Sequence, residues 1–405
     1  MTIAMDKRQG AVDTAQPEGR RIFVIAGEES GDRLGASLMV AVKALAPGPV
    51  TFCGIGGGAM AEEGLDSLFP LHDISINGIS AIPARLPQIL RRIREAADAV
   101  IAAEPDLLVI IDSPDFTHRV ARRVRARAPH IPIVDYVSPT VWAWRPGRAA
   151  AMRRYVDHVL ALLPFEPEAH RRLGGPPCTF VGHPLAEAVV TLRPGQEDTA
   201  RRMAEPPLLL VLPGSRGGEV ARHLAVFGAA AGIVRDRLGA VEIVLPTVPH
   251  LVGRVHQGIA EWPVAPRIVI EPEEKWAAFR QARAALAASG TVTLELALAQ
   301  VPTVLAYKVT LLEEMIARAM IKVKMVGLAN IILDEMVMPE LLQRQATAQS
   351  LADALVNITT DSPARRRQCD AFARLDAIME IGRAKPSERA AAAVIALAQN
   401  PGAGA

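Results

Sequence analysis

The chain has 405 residues, half of them hydrophobic and 22% charged, so it is globular rather than disordered and long enough for two domains of about 150–200 residues. A formal net charge of +2 excludes a polycation: any attraction to anions must be local, and no nucleic-acid partner is expected. Three separated cysteines make neither a disulfide framework nor a zinc site, no apolar leader opens the chain, and no apolar run approaches the ~20 residues of a membrane span. The expectation is a cytoplasmic protein.

Residues 1–20 are polar and read as a disordered N-terminus. Arg21–Gly27 predicts a first strand, followed by Glu28-Glu29-Ser30-Gly31-Asp32 and a helix over about 34–45. The next strand, Val50–Cys53, runs into Gly54, Gly56 and Ala59, which satisfy the spacing of a dinucleotide fingerprint. That match follows the second strand rather than the first, so a tight glycine turn is the plainer reading, and an NAD dehydrogenase stays an outsider. Ile74, Ile76, Ile79, Ile82, Leu86, Ile89, Leu90 and Ile93 are interleaved with Arg85, Arg91, Arg92 and Arg94. This is either an ordinary amphipathic core helix or a face for shallow insertion beside anionic phospholipid.

Further strands are expected at Leu107–Ile111, Ile133–Val137 and Val159–Leu163. Asp112 directly follows an apolar run, where partial burial would suit a general base; Asp115 reads as a cap for a helix starting at Phe116. Trp142 and Trp144 either line a sugar or acyl pocket or plug the core under a loop. The polar, proline-bearing segment Arg193–Pro207 reads as the interdomain link.

Beyond it come strands at Leu208–Leu212, Val241–Leu245, Arg267–Ile270, Ala284–Ala287 and Thr303–Ala306, and a helical segment over Ala390–Gln399. Pro213-Gly214-Ser215-Arg216-Gly217-Gly218 joins the first of these strands to a helix beginning near Glu219: a strand, a glycine-rich turn and a helix start, with Arg216 as a charged fork, outline an anion site. Ser289-Gly290-Thr291 after another strand makes a second cradle of this type, with Ser289 or Thr291 equally a plain N-cap; Glu295, one helical turn on, is placed to meet a ribose diol. The alternation describes an α/β chain of two Rossmann-like, doubly wound parallel sheets: domains over 21–195 and 206–370, with C-terminal helices over 371–405 that pack back on the first.

Taken together, Ala26–Asp32, Ile111–Phe116, Val137–Arg145, Leu163–Glu166, Gly182-His183-Pro184, Leu212–Glu219 and Ala288–Thr291 form an ordered set that resembles the lipid-A-disaccharide synthases, over about Phe23 to Leu333. The resemblance implies an inverting glycosyltransferase of the GT-B type, its two domains facing a central cleft. It would join UDP-2,3-diacylglucosamine to 2,3-diacylglucosamine 1-phosphate (lipid X), peripherally on the inner face of the inner membrane, with no cofactor and no metal. It implies Asp112 as the base for the acceptor 6-hydroxyl and Arg216, with Gly214 and Ser215, as the holder of the departing diphosphate. Ser289, Gly290, Thr291, Glu295 and Asn330 would complete the nucleotide site. Glu28, Ser30, Gly31, Trp142 and Trp144 would line the acceptor side, with Ile74, Ile76, Ile79, Ile82, Arg85 and Leu86 facing the membrane. The residues beside Asn330 and the run Gly56–Gly58 depart from the family pattern. His183 reads as structural, and a homodimer is left open. Against this stand a UDP-N-acetylglucosamine 2-epimerase on the same architecture and a non-enzymatic nucleotide- or phospholipid-binding protein.

Overall fold

The computed structural model describes residues 19–74, 82–310, 313–315 and 323–399, without the side chains of 82–85. The expectations for residues 1–18, Ile76 and Ile79, and for the side chains of Ile82 and Arg85, lie outside the described residues. Two six-stranded parallel sheets organise the rest. The first contains β1 (Arg20–Ala26), β2 (Val50–Ile55), β3 (Leu107–Ile111), β4 (Ile133–Tyr136), β5 (His158–Ala161) and β6 (Cys178–Phe180), in the order β2-β1-β3-β4-β5-β6. The second contains β7 (Leu208–Leu212), β8 (Glu242–Pro246), β9 (Arg267–Val269), β10 (Ala284–Ala288), β11 (Thr303–Tyr307) and β12 (Glu340–Leu342), in the order β12-β11-β10-β7-β8-β9.

The reason for these sheets is plain in the central strands. Every residue of β3, β7 and β10 is buried, because helices cover both faces, and a strand hidden on both faces must be apolar throughout. The predicted strands fall within two residues of these positions. The edge strands β6 and β12, three residues each and partly exposed, carry no such run and were not foreseen.

In each sheet the winding direction reverses once. The chain leaves β1 for β2 on one side and returns to β3 on the other; it leaves β7 for β8 and β9, then returns to β10. In register, Ala26 lies beside Ile111 and Leu212 beside Ala287. Connections diverge at these two places and leave a crevice beyond the strand C-termini. The turns after β1 and β3, and after β7 and β10, therefore surround the positions where an open α/β sheet takes its ligands.

Two compact units emerge: one holds the residues up to Val137, Arg154–Val159 and the segment from Ser387, and the other holds Ser138–Arg153 and Leu160–Pro386. The C-terminal helix Pro386–Gln399 is tied to β1 by Arg20, whose guanidinium donates to the Ala398 carbonyl at 2.8 Å. The helix Pro363–Ile378 runs through the expected boundary at residue 370, with Phe372 and Leu375 in the core of the second unit. The segment read as a link is more structured than its composition implied. It contains the helix Gln196–Met203, whose Arg202 donates to the carbonyls of Phe279, Arg280, Ala299 and Gln300 at 3.0–3.1 Å. Burial pulls Arg202 down to about 10, which still leaves it charged at neutral pH.

Ile74 is only 5% exposed and belongs to the core, which corrects its assignment to a membrane face. Ile89 and Ile93, further along the helix Ile82–Ala103, are buried too, whereas Leu86 is exposed. Arg92 is engaged by Asp73 and Glu95 and stacks over Phe69, so it does not fringe an open apolar surface.

The glycine turn after β2 is settled by Asp32. This buried carboxylate accepts the backbone N–H groups of Gly57, Ala59 and Met60 at 2.7, 2.9 and 3.1 Å. The donors that a pyrophosphate would need are already spent on an acid of the chain itself, so the spacing match at Gly54–Ala59 is a structural turn. Asp32→Ala would leave one buried and two partly buried donors without their acceptor and should lower stability to urea unfolding by about 3 kcal/mol; a loss below about 1 kcal/mol would contradict this reading.

Candidate active site at the two sheet crossings

At the first crossing, Asp112 leaves β3 in the left-handed conformation, φ 54°, and Ser113 follows at φ 49°. Two successive non-glycine residues in this region are costly, and they turn the chain sharply between strand and helix. Several bonds hold the turn. Asp112 N–H donates to the Tyr136 carbonyl at 3.2 Å, and the Asp112 carbonyl accepts from Thr117 Oγ1 at 2.7 Å. The helix Pro114–Arg127 starts at once, two residues before the expected start, with Asp115 exposed in its first turn where the helix dipole favours an acid. Gly27 is required opposite: a Cβ there would lie 2.0 Å from the Ser113 Cβ.

The turn leaves the Asp112 carboxylate half-buried. Oδ1 accepts its neighbour's N–H (Ser113) at 2.7 Å, and Oδ2 accepts Ser30 Oγ at 3.4 Å. Glu28 lies alongside, accepting Ser113 Oγ at 3.3 Å, and Gly31 is buried under the turn against the Ile111 carbonyl. The structure thus brings together Asp112, Glu28, Ser30 and Gly31.

Trp142 and Trp144 belong to the other unit. Trp142 Nε1 donates to the buried Glu166 at 3.1 Å, and its ring meets Phe165 edge-on at 5.0 Å over a hydrophobic cluster of that unit. The ring is partly buried against that cluster. Trp144 donates to Thr140 Oγ1 at 2.8 Å and lies under the Arg145 guanidinium, 4.4 Å from ring centroid to cation.

At the second crossing, Gly214, Ser215, Arg216, Ser289, Gly290, Thr291 and Glu295 line one cavity of about 410 Å³. That volume is in the range of small-ligand pockets. Pro246, Thr247, Val248 and Lys275 add to the wall from the end of β8 and the helix Pro272–Gln281, and Glu219 from the helix Gly217–Leu238. Gly214 has φ 119°, a conformation that disfavours a side chain, and a Cβ there would lie 2.6 Å from Glu219 Oε2. Glu219 is the anchor of the turn: its carboxylate accepts Arg216 N–H and Nη1, each at 3.3 Å, and Tyr307 Oη at 3.2 Å. Burial, with Glu219 beside it, raises the Tyr307 phenol above its ordinary range and keeps it a donor. The Arg216 side chain is 84% exposed and lines the cavity, so its guanidinium is accessible to a ligand there.

Behind the turn, His223 Nδ1 pairs with the Pro213 carbonyl at 2.8 Å and Nε2 with the Lys308 N–H at 3.0 Å. One partner accepts and the other donates, so the ring must be neutral with its proton on Nδ1. Burial lowers its pKa, in agreement.

Asn330 does not line the cavity. It is fully buried, donating from Nδ2 to the Met338 carbonyl and to Glu340, each at 2.9 Å, and accepting the N–H groups of Val337 and Met338. Its place in the nucleotide site is corrected to one beneath it. Glu340 in turn accepts the N–H groups of Val326 and Gly327 at 2.9 Å, and the Val326 carbonyl takes the Ser289 hydroxyl at 3.0 Å. Asn330 thus reaches the cradle through three links. His183 accepts the Leu185 N–H at 3.1 Å, and burial pushes it down to about 4, which fits a structural histidine.

The neutral His223 has a testable consequence. Its folded pKa lies below the unfolded value of about 6.5, so its contribution to stability is present above that pH and is lost as pH falls through it. Between pH 7 and pH 5, wild type should lose more urea stability than His223→Gln; superimposable pH profiles would contradict the assignment.

Comparison with known proteins identifies this arrangement. The family model "Lipid-A-disaccharide synthetase" matches residues 22–394. Lipid-A-disaccharide synthase of Nitrobacter hamburgensis is 62% identical over 382 residues, 94% of this chain and 96% of the relative. That of Bradyrhizobium diazoefficiens is 59% identical over 377 residues, 93% of this chain and 96% of its own. Among solved structures, UDP-GlcNAc 2-epimerase from Neisseria meningitidis, bound to UDP-GlcNAc, superposes with a TM-score of 0.56 at 12% identity, covering 94% of this chain and 100% of that one. Acinetobacter baumannii MurG gives 0.52 at 15% identity, covering 94% and 99%. These structures share the fold of two parallel-sheet α/β domains, the GT-B type, and at such identities they show the fold alone. The sequence relatives cover nearly the whole chain, both crossings included, and the chain belongs to the lipid-A-disaccharide synthase family.

Proposed function

We propose that the chain transfers 2,3-diacylglucosamine from UDP-2,3-diacylglucosamine to the 6-hydroxyl of 2,3-diacylglucosamine 1-phosphate, releasing UDP and forming the β-1,6 disaccharide with inversion. Family membership supports the reaction, and the cavity at the second crossing is the single feature that supports the assignment of roles. Its turns after β7 and β10 suit a nucleoside diphosphate: Gly214 to Arg216 under the phosphates, Ser289 to Thr291 on their other flank, and Glu295 at the ribose hydroxyls. The exposed Arg216 guanidinium neutralises charge as the bond to UDP breaks.

Asp112 is the proposed base. Inversion requires one displacement, in which the acceptor oxygen loses its proton as it bonds the anomeric carbon and UDP departs with the bonding pair. A half-buried carboxylate fixed by a strained turn, with Ser30 orienting one oxygen, fits that task. Glu28 and Ser30 flank the acceptor.

The acyl chains of both substrates call for a lipid surface, and we place the chain peripherally on the cytoplasmic face of the inner membrane. Among the described residues no helix is long and apolar enough to cross a membrane. Leu86, Arg91 and Arg94 are all exposed on the helix Ile82–Ala103, which supports shallow contact with anionic phospholipid. The epimerase reading is set aside, since proteins with that activity resemble this chain in fold at 12% identity while synthases match it at 62%.

The direct test is product formation from the two diacylglucosamine substrates, wild type beside Asp112→Asn. Wild type should release UDP only when the acceptor lipid is present. The variant should bind UDP normally and turn over at least 100-fold more slowly, in the range attributed to general-base catalysis. Equal turnover would remove Asp112 from the chemistry; acceptor-independent conversion of the UDP-sugar would overturn the transferase reading.

A further inference from the structure

The cavity at the second crossing contains an ion pair that the sequence motifs did not bring into view. Lys275, on the helix Pro272–Gln281, places Nζ 2.5 Å from Oε2 of Glu295, on the helix Val292–Leu298. Both residues line the cavity, with side chains 30% and 17% exposed. The ammonium also lies 5.2 Å from the centre of the buried Phe279 ring, which limits where the lysine can swing. This is not a solvated surface pair of the kind that contributes little. Two elements separated by β10 are clamped together at the rim of the space a ligand would enter.

From this geometry we infer that Lys275 is a positioning residue that sets the nucleotide site's choice of sugar. The inference rests on the assignment of the cavity to a nucleoside diphosphate. An ionised carboxylate accepts hydrogen bonds and donates none, so Glu295 recognises a sugar through hydroxyl donors. Its aim decides whether a vicinal diol is met by both oxygens or by one. Lys275 fixes Oε2, and with it the plane of the carboxylate. The lysine acts through Glu295 rather than on the phosphates, which the turns after β7 and β10 already surround along with Arg216. With Lys275 in place the site favours a ribose diol over a 2′-deoxyribose; without it Glu295 is free to rotate and the preference goes.

Calorimetric titration of UDP and 2′-deoxy-UDP into the full-length chain tests this, using wild type, Lys275→Met, Lys275→Arg and Glu295→Gln. Wild type should prefer UDP by roughly tenfold or more, the worth of one hydrogen bond to a charged group. Lys275→Met, which keeps most of the stem's volume, should lose most of that preference, as should Glu295→Gln. Lys275→Arg, still able to donate to the carboxylate, should retain it. If Lys275→Met weakened both ligands equally and kept the preference, the lysine would be a phosphate contact and the inference would fall. Wild type binding both ligands alike would also overturn it, while leaving the nucleotide site standing. Failure of wild type to bind UDP at all would overturn the nucleotide site itself.

Discussion

Reversal of winding in a parallel sheet is the constraint on which the rest of this molecule depends. A parallel strand cannot be followed by a tight hairpin, so each connection crosses over through a helix. Where successive crossovers go to opposite sides, two neighbouring strands end without a connection covering the gap between them. Both sheets do this once, at β1/β3 and at β7/β10. Each residue assigned a chemical role follows one of these four strands or lines the cavity beyond the second pair. The two places are furnished differently, with carboxylates and hydroxyls at the first and glycine turns with cations at the second.

Acids turned onto the chain's own donors show how the chain keeps its functional groups distinct from its scaffolding. Asp32, Glu219 and Glu340 each collect two or more donors from the chain itself and thereby shape a turn. A carboxylate used in this way is committed to its scaffold. Asp112 also holds its own turn, yet it stays partly exposed, and its Oδ2 accepts the Ser30 hydroxyl at a long 3.4 Å. The contrast between Asp32 and Asp112, both within motifs of the same unit, separates a structural acid from a candidate base more sharply than motif membership does.

Central strands were legible in the sequence because burial on both faces demands an uninterrupted apolar run, and β3 and β7 were read to the residue. Of the edge strands, β2 and β9 fall where the sequence pattern predicts them, whereas β6 and β12, three partly exposed residues each, carry no apolar run that would mark them. Turns rich in glycine and small hydroxyls pointed to Gly214 through Arg216 and Ser289 through Thr291, and topology then brought the two together in one cavity. Lys275 escaped notice for the complementary reason: within Pro272–Gln281 nothing local distinguishes it from a solvated helix lysine, and only the packing of two helices around β10 gives it Glu295 as a partner. Asn330 and Ile74 show the opposite failure. Position within a motif or an apolar stripe names a residue without saying which way it faces, and both face inward.

The central claim is that the crossing at β7 and β10 is the nucleotide site, and a crystal structure of the chain with UDP tests it most directly. The account predicts the diphosphate between Gly214–Arg216 and Ser289–Thr291, with the ribose hydroxyls on Glu295. Density for UDP at the glycine turn after β2, or anywhere else outside this cavity, would contradict it.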